Sequence, residues 1–186
     1  KLDRSLSDAH RGLGSILAQQ GRINDAILSL EQAVAINPND ALAHTELARQ
    51  FNSSGDKISA IAPYLNAISL TPSNWNLRYE LGQLFYDLER YDEALEAMQD
   101  LATHRDADGQ ALNLLGQLYL SVGELDKATR AFRAAVGRNV NSPEPFVGLG
   151  QASMILGRFD ESVAAFSKAV ELDPNSLTAF AGLSKL

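Results

Sequence analysis

The sequence predicts an all-α solenoid of helix–turn–helix repeats, and three observations carry that reading. Leu13, Gly14, Leu17, Gly21, Ala26, Leu30, Ala33 and Pro38 are mirrored thirty-four places on by Leu47, Ala48, Phe51, Gly55, Ala60, Tyr64, Ala67 and Pro72. The same frame then runs without insertion through three more copies. Within each copy the apolar residues recur at helical spacing on either side of a short turn. A single copy cannot bury its own apolar faces, so neighbouring copies must stack into one continuous domain.

The copies occupy 7–40, 41–74, 75–108, 109–142 and 143–176, and 177–186 opens a sixth. Residues 1–6 align with the tail of a preceding repeat, although Arg4 stands where the fifth copy has Pro174. In the first helix of each copy, helix A, the apolar places are the fourth, seventh, eighth and eleventh, as in Leu112, Leu115, Gly116 and Tyr119. At about 100° per residue these form one core-facing stripe. The eighth place is always small (Gly14, Ala48, Gly82, Gly116, Gly150), which lets a neighbouring helix approach closely. That gain outweighs the cost of up to ~1 kcal/mol for glycine inside a helix.

Gly21, Gly55, Gly123 and Gly157 end helix A where a left-handed residue is needed; the third copy has Glu89 instead. Helix B pairs a small residue with a large one four places on: Ala26 with Leu30, Ala60 with Tyr64, Ala94 with Met98, Ala128 with Phe132 and Ser162 with Phe166. Asp40, Asn74, Asp108, Ser142 and Ser176 precede the helices A and are expected as N-caps. Pro38, Pro72 and Pro174 stop helix B. The third and fourth copies put Asp106 and Val140 there, Leu101 replaces an alanine, and Gly137 enters the last turn of helix B. Those junctions are expected to be the weakest in the array.

The formal charge of -7 argues against a nucleic-acid interface, which needs a basic face, and favours a basic or neutral partner. The absence of cysteine removes disulfides, thiolate nucleophiles and cysteine-ligated zinc, and leaves the compartment open. No stretch approaches the ~18 apolar residues of a membrane span, so no membrane insertion is expected. The first residues, Lys1 to Ser5, lack the apolar core of a signal peptide.

Chemistry is scarce. His10 and His44 fall at the core-facing fourth place, with no second ligand at metal-binding spacing on their helices. Gly12-x-Gly14 and Gly148-x-Gly150 lie inside helices with no strand before them, which is the wrong setting for a phosphate loop. Ser7, Asp8 and His10 sit within one helical turn and cannot converge as a triad. No catalytic residue, metal or cofactor is proposed from these residues. Lys127, Arg130 and Arg133 read as a solvated outer face of helix B. Trp75 reads equally as a lid on the neighbouring turn or as an exposed anchor.

The informative set is the face of helix A opposite its core stripe: the second, fifth, ninth and twelfth places. It offers Arg49, Tyr79, Gln83, Tyr86, Asn113, Gln117, Leu120, Val147, Gln151 and Met154 as candidate peptide-contacting residues. An amide row carries donors and acceptors together, so it can pair with an extended backbone whatever its side chains are. Leu120, Val147 and Met154 would take an apolar side chain at the far end.

The pattern resembles the tetratricopeptide repeat family over essentially the whole chain, with His10, His44 and Arg78 in the family's Trp place and Ser153 in its Tyr place. The resemblance implies a right-handed superhelix whose helices A line a concave, peptide-binding groove. The carboxylate clamp of chaperone-binding members is absent, because the sixth places read Gly12, Glu46, Glu80, Leu114 and Gly148, and central acids would repel a peptide carboxylate. The asparagine ladder of O-GlcNAc transferases is absent from the same places. The expected function is a non-catalytic protein–protein interaction scaffold binding a peptide segment of a partner. The alternative is a regulatory or substrate-docking segment of a larger enzyme, a transferase or kinase. A third reading is self-association through the open solenoid ends, where Phe180 and Leu183 have no helix B to cover them.

Overall fold

The computed structural model describes residues 2–98 and 108–186, and among these it forms eleven α-helices and no strand. They gather into two compact units, Lys1–Leu88 and Glu89–Leu186. The first holds α1 (Leu2–Gln19), α2 (Ile23–Ile36), α3 (Ala41–Ser53), α4 (Lys57–Leu70) and α5 (Trp75–Asp87). The second holds α6 (Tyr91–Ala97), α7 (Gly109–Ser121), α8 (Leu125–Arg138), α9 (Glu144–Ile155), α10 (Phe159–Leu172) and α11 (Leu177–Leu183). Helices A and B alternate in each, and every helix lies against its sequence neighbours within its unit.

The large side chains of helix B form the core of both units. Leu30, Tyr64, Met98, Phe132 and Phe166 are all buried, together with Ala26, Ala60, Ala94 and Ala128 one turn earlier. Ser162 replaces that alanine in α10 without stranding its hydroxyl, which donates to Gly150 O at 2.7 Å. Glycine makes room for the rings. A Cβ added at Gly116 would stand 2.6 Å from the Phe132 ring, and one at Gly148 would stand 2.3 Å from it. Phe166 is enclosed in the same way by Gly150 and Gly182, at 2.8 and 2.4 Å.

The turns after helix A take the left-handed conformation at Gly21, Gly55, Gly123 and Gly157, with φ from 72° to 87°. Glu89 adopts it too, at φ 58°. A side chain in that region costs about 1–2 kcal/mol, so the third copy pays locally for its missing glycine.

Several local expectations need correction. Residues 2–6 are continuous with the first copy's helix A, because α1 is unbroken from Leu2 to Gln19. Arg4 supplies no proline stop, and Leu6 has no side-chain acceptor to cap a new helix. Asp40, Asp108 and Ser176 do cap α3, α7 and α11, but Asn74 makes no side-chain cap bond. Ser142 does not cap either: Pro143 is the capping residue of α9, and the Ser142 hydroxyl turns to Glu144. Asp56 caps the helix B α4 by accepting from Ser59 N at 3.1 Å, a role not foreseen. Leu13 and Phe180, both on the expected core stripe, are 48% and 47% exposed. Leu101 and Asp106 fall outside the described residues, while α8 continues through Gly137 to Arg138.

Candidate functional site

In the first unit the exposed face of the helices A is tied together by bonds from one copy to the next. The ninth place of one helix meets the sixth place of the following one. Ser15 on α1 donates to Glu46 on α3. Arg49 on α3 donates to both oxygens of Glu80 on α5, from Nε at 2.9 Å and from Nη2 at 2.6 Å. The buried Tyr64 hydroxyl adds a third bond to Glu80, at 3.0 Å. Arg11 lies 3.3 Å from Asp40 and 3.9 Å from Glu46.

The electrostatics follow from this lattice. Burial, and then the Glu80 carboxylate, push the Tyr64 phenol well above its ordinary range. The bond to Glu80 raises the Arg49 guanidinium further, against the opposing effect of burial. Burial pushes the Asp87 carboxyl up, but bonds from Lys57 and Gln83, each 2.8 Å, outweigh it and hold the group below its usual value. Thr45, at a fifth place expected to be open, is instead buried, with its hydroxyl on Ala41 O at 2.7 Å. Of the candidate residues in this unit, Arg49 and Gln83 are therefore held by carboxylates of their own unit. Tyr79 and Tyr86 are half-buried, and each has a partner within the chain.

The second unit is built differently. Its sixth places are Leu114, Gly148 and Gly182, all buried against the core. None can bond to the ninth places, Gln117 on α7 and Gln151 on α9. Neither amide makes a side-chain hydrogen bond among the described residues, and both line one concavity of about 240 Å³. Val147 and Gly148 share the lining, and Pro143, Glu144, Asp173, Ser176 and Thr178 complete it. Asn113 stands one turn before Gln117, and its Oδ1 is buried without a donor. Val147 and Leu120 also pack onto core clusters, around Phe166 and Phe132 respectively, while Met154 is half-buried. Sequence reasoning missed Glu144, Asp173, Ser176 and Thr178. Glu144 and Thr178 stand at the second place of helix A, on the exposed face itself, whereas Asp173 and Ser176 lie in the loop between copies, outside the helical pattern.

The remaining candidates are structural. Lys127 lies 3.4 Å from Glu124 and 5.6 Å from the centre of the Tyr119 ring, Arg133 bonds Glu161, and Arg130 is exposed. The Arg78 guanidinium carbon lies 5.6 Å from the centre of the Trp75 ring, so that half-buried indole packs with its own helix. His44 is buried, with Nε2 3.0 Å from Pro38 O. Among the described residues no three His, Asp or Glu side chains are arranged to hold a metal ion, and no helix is long and apolar enough to cross a membrane.

An all-α array of helix pairs with a polar concave patch defines a helical-repeat scaffold for protein interaction. More particularly, the chain belongs to the tetratricopeptide repeat family, whose model matches residues 45–111 and 113–176, with a further TPR repeat model over 14–51. Among solved structures it resembles YrrB, described as a TPR protein with an unusual peptide-binding site, at a TM-score of 0.85 and 19% identity over 95% of this chain and 91% of that one. It also resembles MamA from Desulfovibrio magneticus RS-1, at a TM-score of 0.81 and 20% identity over 92% and 97% of the two chains. These likenesses speak for the fold alone. Among curated proteins it is 33% identical over 97 residues to the type IV pilus assembly protein PilF of Pseudomonas aeruginosa, and 26% identical over 96 residues to superkiller protein 3 of Schizosaccharomyces pombe. Those matches take in about half of this chain, but only 38% and 7% of the respective relatives.

Proposed function

We propose that this chain is a non-catalytic scaffold, with the 34-residue copies as its repeating units, and that it holds an extended peptide segment of a partner protein on the second unit's helices A. The observation that carries the proposal is the pair Gln117 and Gln151. They come from successive helices A, line one concavity and make no side-chain hydrogen bond among the described residues. Amides on such a surface gain from pairing with a peptide backbone, which offers a donor and an acceptor at every residue. The lone Oδ1 of Asn113 extends the same row by one turn. YrrB's description as a peptide binder makes peptide recognition on this fold a natural expectation. Arg49, Gln83, Tyr79 and Tyr86 are secondary in this reading, because their polar groups are already engaged.

The test is a binding comparison on the full chain, using peptides selected from a displayed library of random sequences. Gln117→Ala with Gln151→Ala should weaken binding about tenfold or more, since each lost bond is worth roughly 0.5–1.5 kcal/mol. Arg130→Ala on the outer face of α8 should leave it unchanged. If Arg130→Ala weakens binding and the glutamine pair does not, the ligand is on the other side and the assignment fails.

A further inference from the structure

We infer that the second unit's concavity selects a peptide carrying a lysine or arginine side chain, held between Glu144 and Asp173. The inference rests on the peptide-binding reading above and adds the chemistry of the partner. Two carboxylates line the concavity, and no basic residue among its described lining residues offsets them. Some other carboxylates of this unit have cations of their own. Glu124, Asp126, Glu161 and Glu171 are each held by a cation, namely Lys127, Arg158, Arg133 and Lys168. By contrast, among the described residues Glu144 receives only the Ser142 hydroxyl, and Asp173 only the backbone N–H of Asn175, at 3.0 Å. Both bonds leave acceptor capacity on the carboxylates.

The positions of the groups fit one occupant. Glu144 is the first residue of α9 and Asp173 immediately follows α10, while Gln117 and Gln151 lie further along α7 and α9. A peptide whose backbone pairs with the two glutamines can therefore send one long side chain toward the carboxylates. A lysine or arginine has the required reach and charge, and arginine could engage both acids with its several N–H groups. The start of α9 opposes a cation with about half a unit of positive charge, less than either carboxylate supplies in the other direction. Ser176 and Thr178 complete the polar rim.

The experiment takes peptides selected from the random library on the full chain and compares each with versions in which its lysine is acetylated or replaced by glutamate. The selected set should be enriched in lysine and arginine. Acetylation should weaken binding about five- to tenfold, on the scale of two partly exposed ion pairs. That difference should shrink between roughly 50 mM and roughly 500 mM salt, as the Debye length contracts. Glu144→Gln with Asp173→Asn should bring the native and acetylated peptides to equal affinity while leaving the acetylated peptide's own binding intact. Gln117→Ala with Gln151→Ala should instead weaken both forms alike. Peptides that need the glutamines but show no preference for the cation overturn this inference and leave the peptide-binding reading standing. Peptides indifferent to the glutamines, or a library with no binders, overturn both.

Discussion

The two units use the same repeat frame but treat one pair of positions in opposite ways. In Lys1–Leu88 the sixth place of α3 and of α5 is a glutamate, and each locks the ninth place of the preceding helix A, through Ser15 to Glu46 and Arg49 to Glu80. In Glu89–Leu186 the sixth place is leucine or glycine, buried against the core, and the ninth-place glutamines make no side-chain hydrogen bond among the described residues. At three of these places the residue suits the helix B side chain it meets. Phe132 and Phe166 leave room for no side chain at Gly148 and Gly182. Tyr64 presents a hydroxyl, and Glu80 accepts its hydrogen bond. One position thus decides both how copies stack and whether the exposed face of helix A is free for a ligand.

The strongest challenge to this contrast is Glu80→Ala. It leaves the buried Tyr64 hydroxyl without an acceptor and releases the half-exposed Arg49, so urea denaturation should show a loss of about 2–3 kcal/mol. In a Tyr64→Phe background the same change should cost clearly less. Equal costs in the two backgrounds would mean that Glu80 acts without the tyrosine.

A sharper comparison substitutes alanine at the sixth place in each unit. Gly148→Ala drives a Cβ into the Phe132 ring, which Gly116 holds from the other side, and should destabilise by about 1–3 kcal/mol. Gly12→Ala meets nothing within 4 Å and should stabilise α1 by up to ~1 kcal/mol through helix propensity. If both variants shift the urea midpoint in the same direction, size matching between helices does not govern the sixth place.

The contrast also has a pH signature confined to the first unit. The Tyr64 pKa is raised above its ordinary 10.0, so the native state keeps a proton that the unfolded chain gives up first. Its contribution is fully present below pH 10 and declines as pH rises toward the folded value, by at most about 1.4 kcal/mol per pH unit. Tyr64→Phe should flatten this part of the stability curve. An unchanged alkaline slope in that variant would show that the phenol is not held neutral beside Glu80.

Much of the architecture was legible because it depends on residues close together in the chain. Helical spacing, the small and large pair in helix B, the glycine turns and the proline stops are local choices of size and φ, and they reappear as buried residues and positive-φ glycines. Glu89 stands out in the sequence as the turn without a glycine, and it takes the same positive φ. The caps were less secure. Asp40 and Ser142 have equally suitable side chains, yet only Asp40 reaches the free N–H groups, because Pro143 and Glu144 rearrange the start of α9.

The site was legible only as a list of exposed places. Arg49 and Gln117 occupy the same ninth place and could not be ranked from their own helices. Tertiary structure ranks them, because the partner that engages Arg49, and the glycine that cannot engage Gln117, stand thirty-one residues further on in the next helix A. A periodic sequence determines which side chains face outward. Whether an outward polar group is already paired depends on atoms from another helix brought within about 3 Å, and only the folded chain sets that distance.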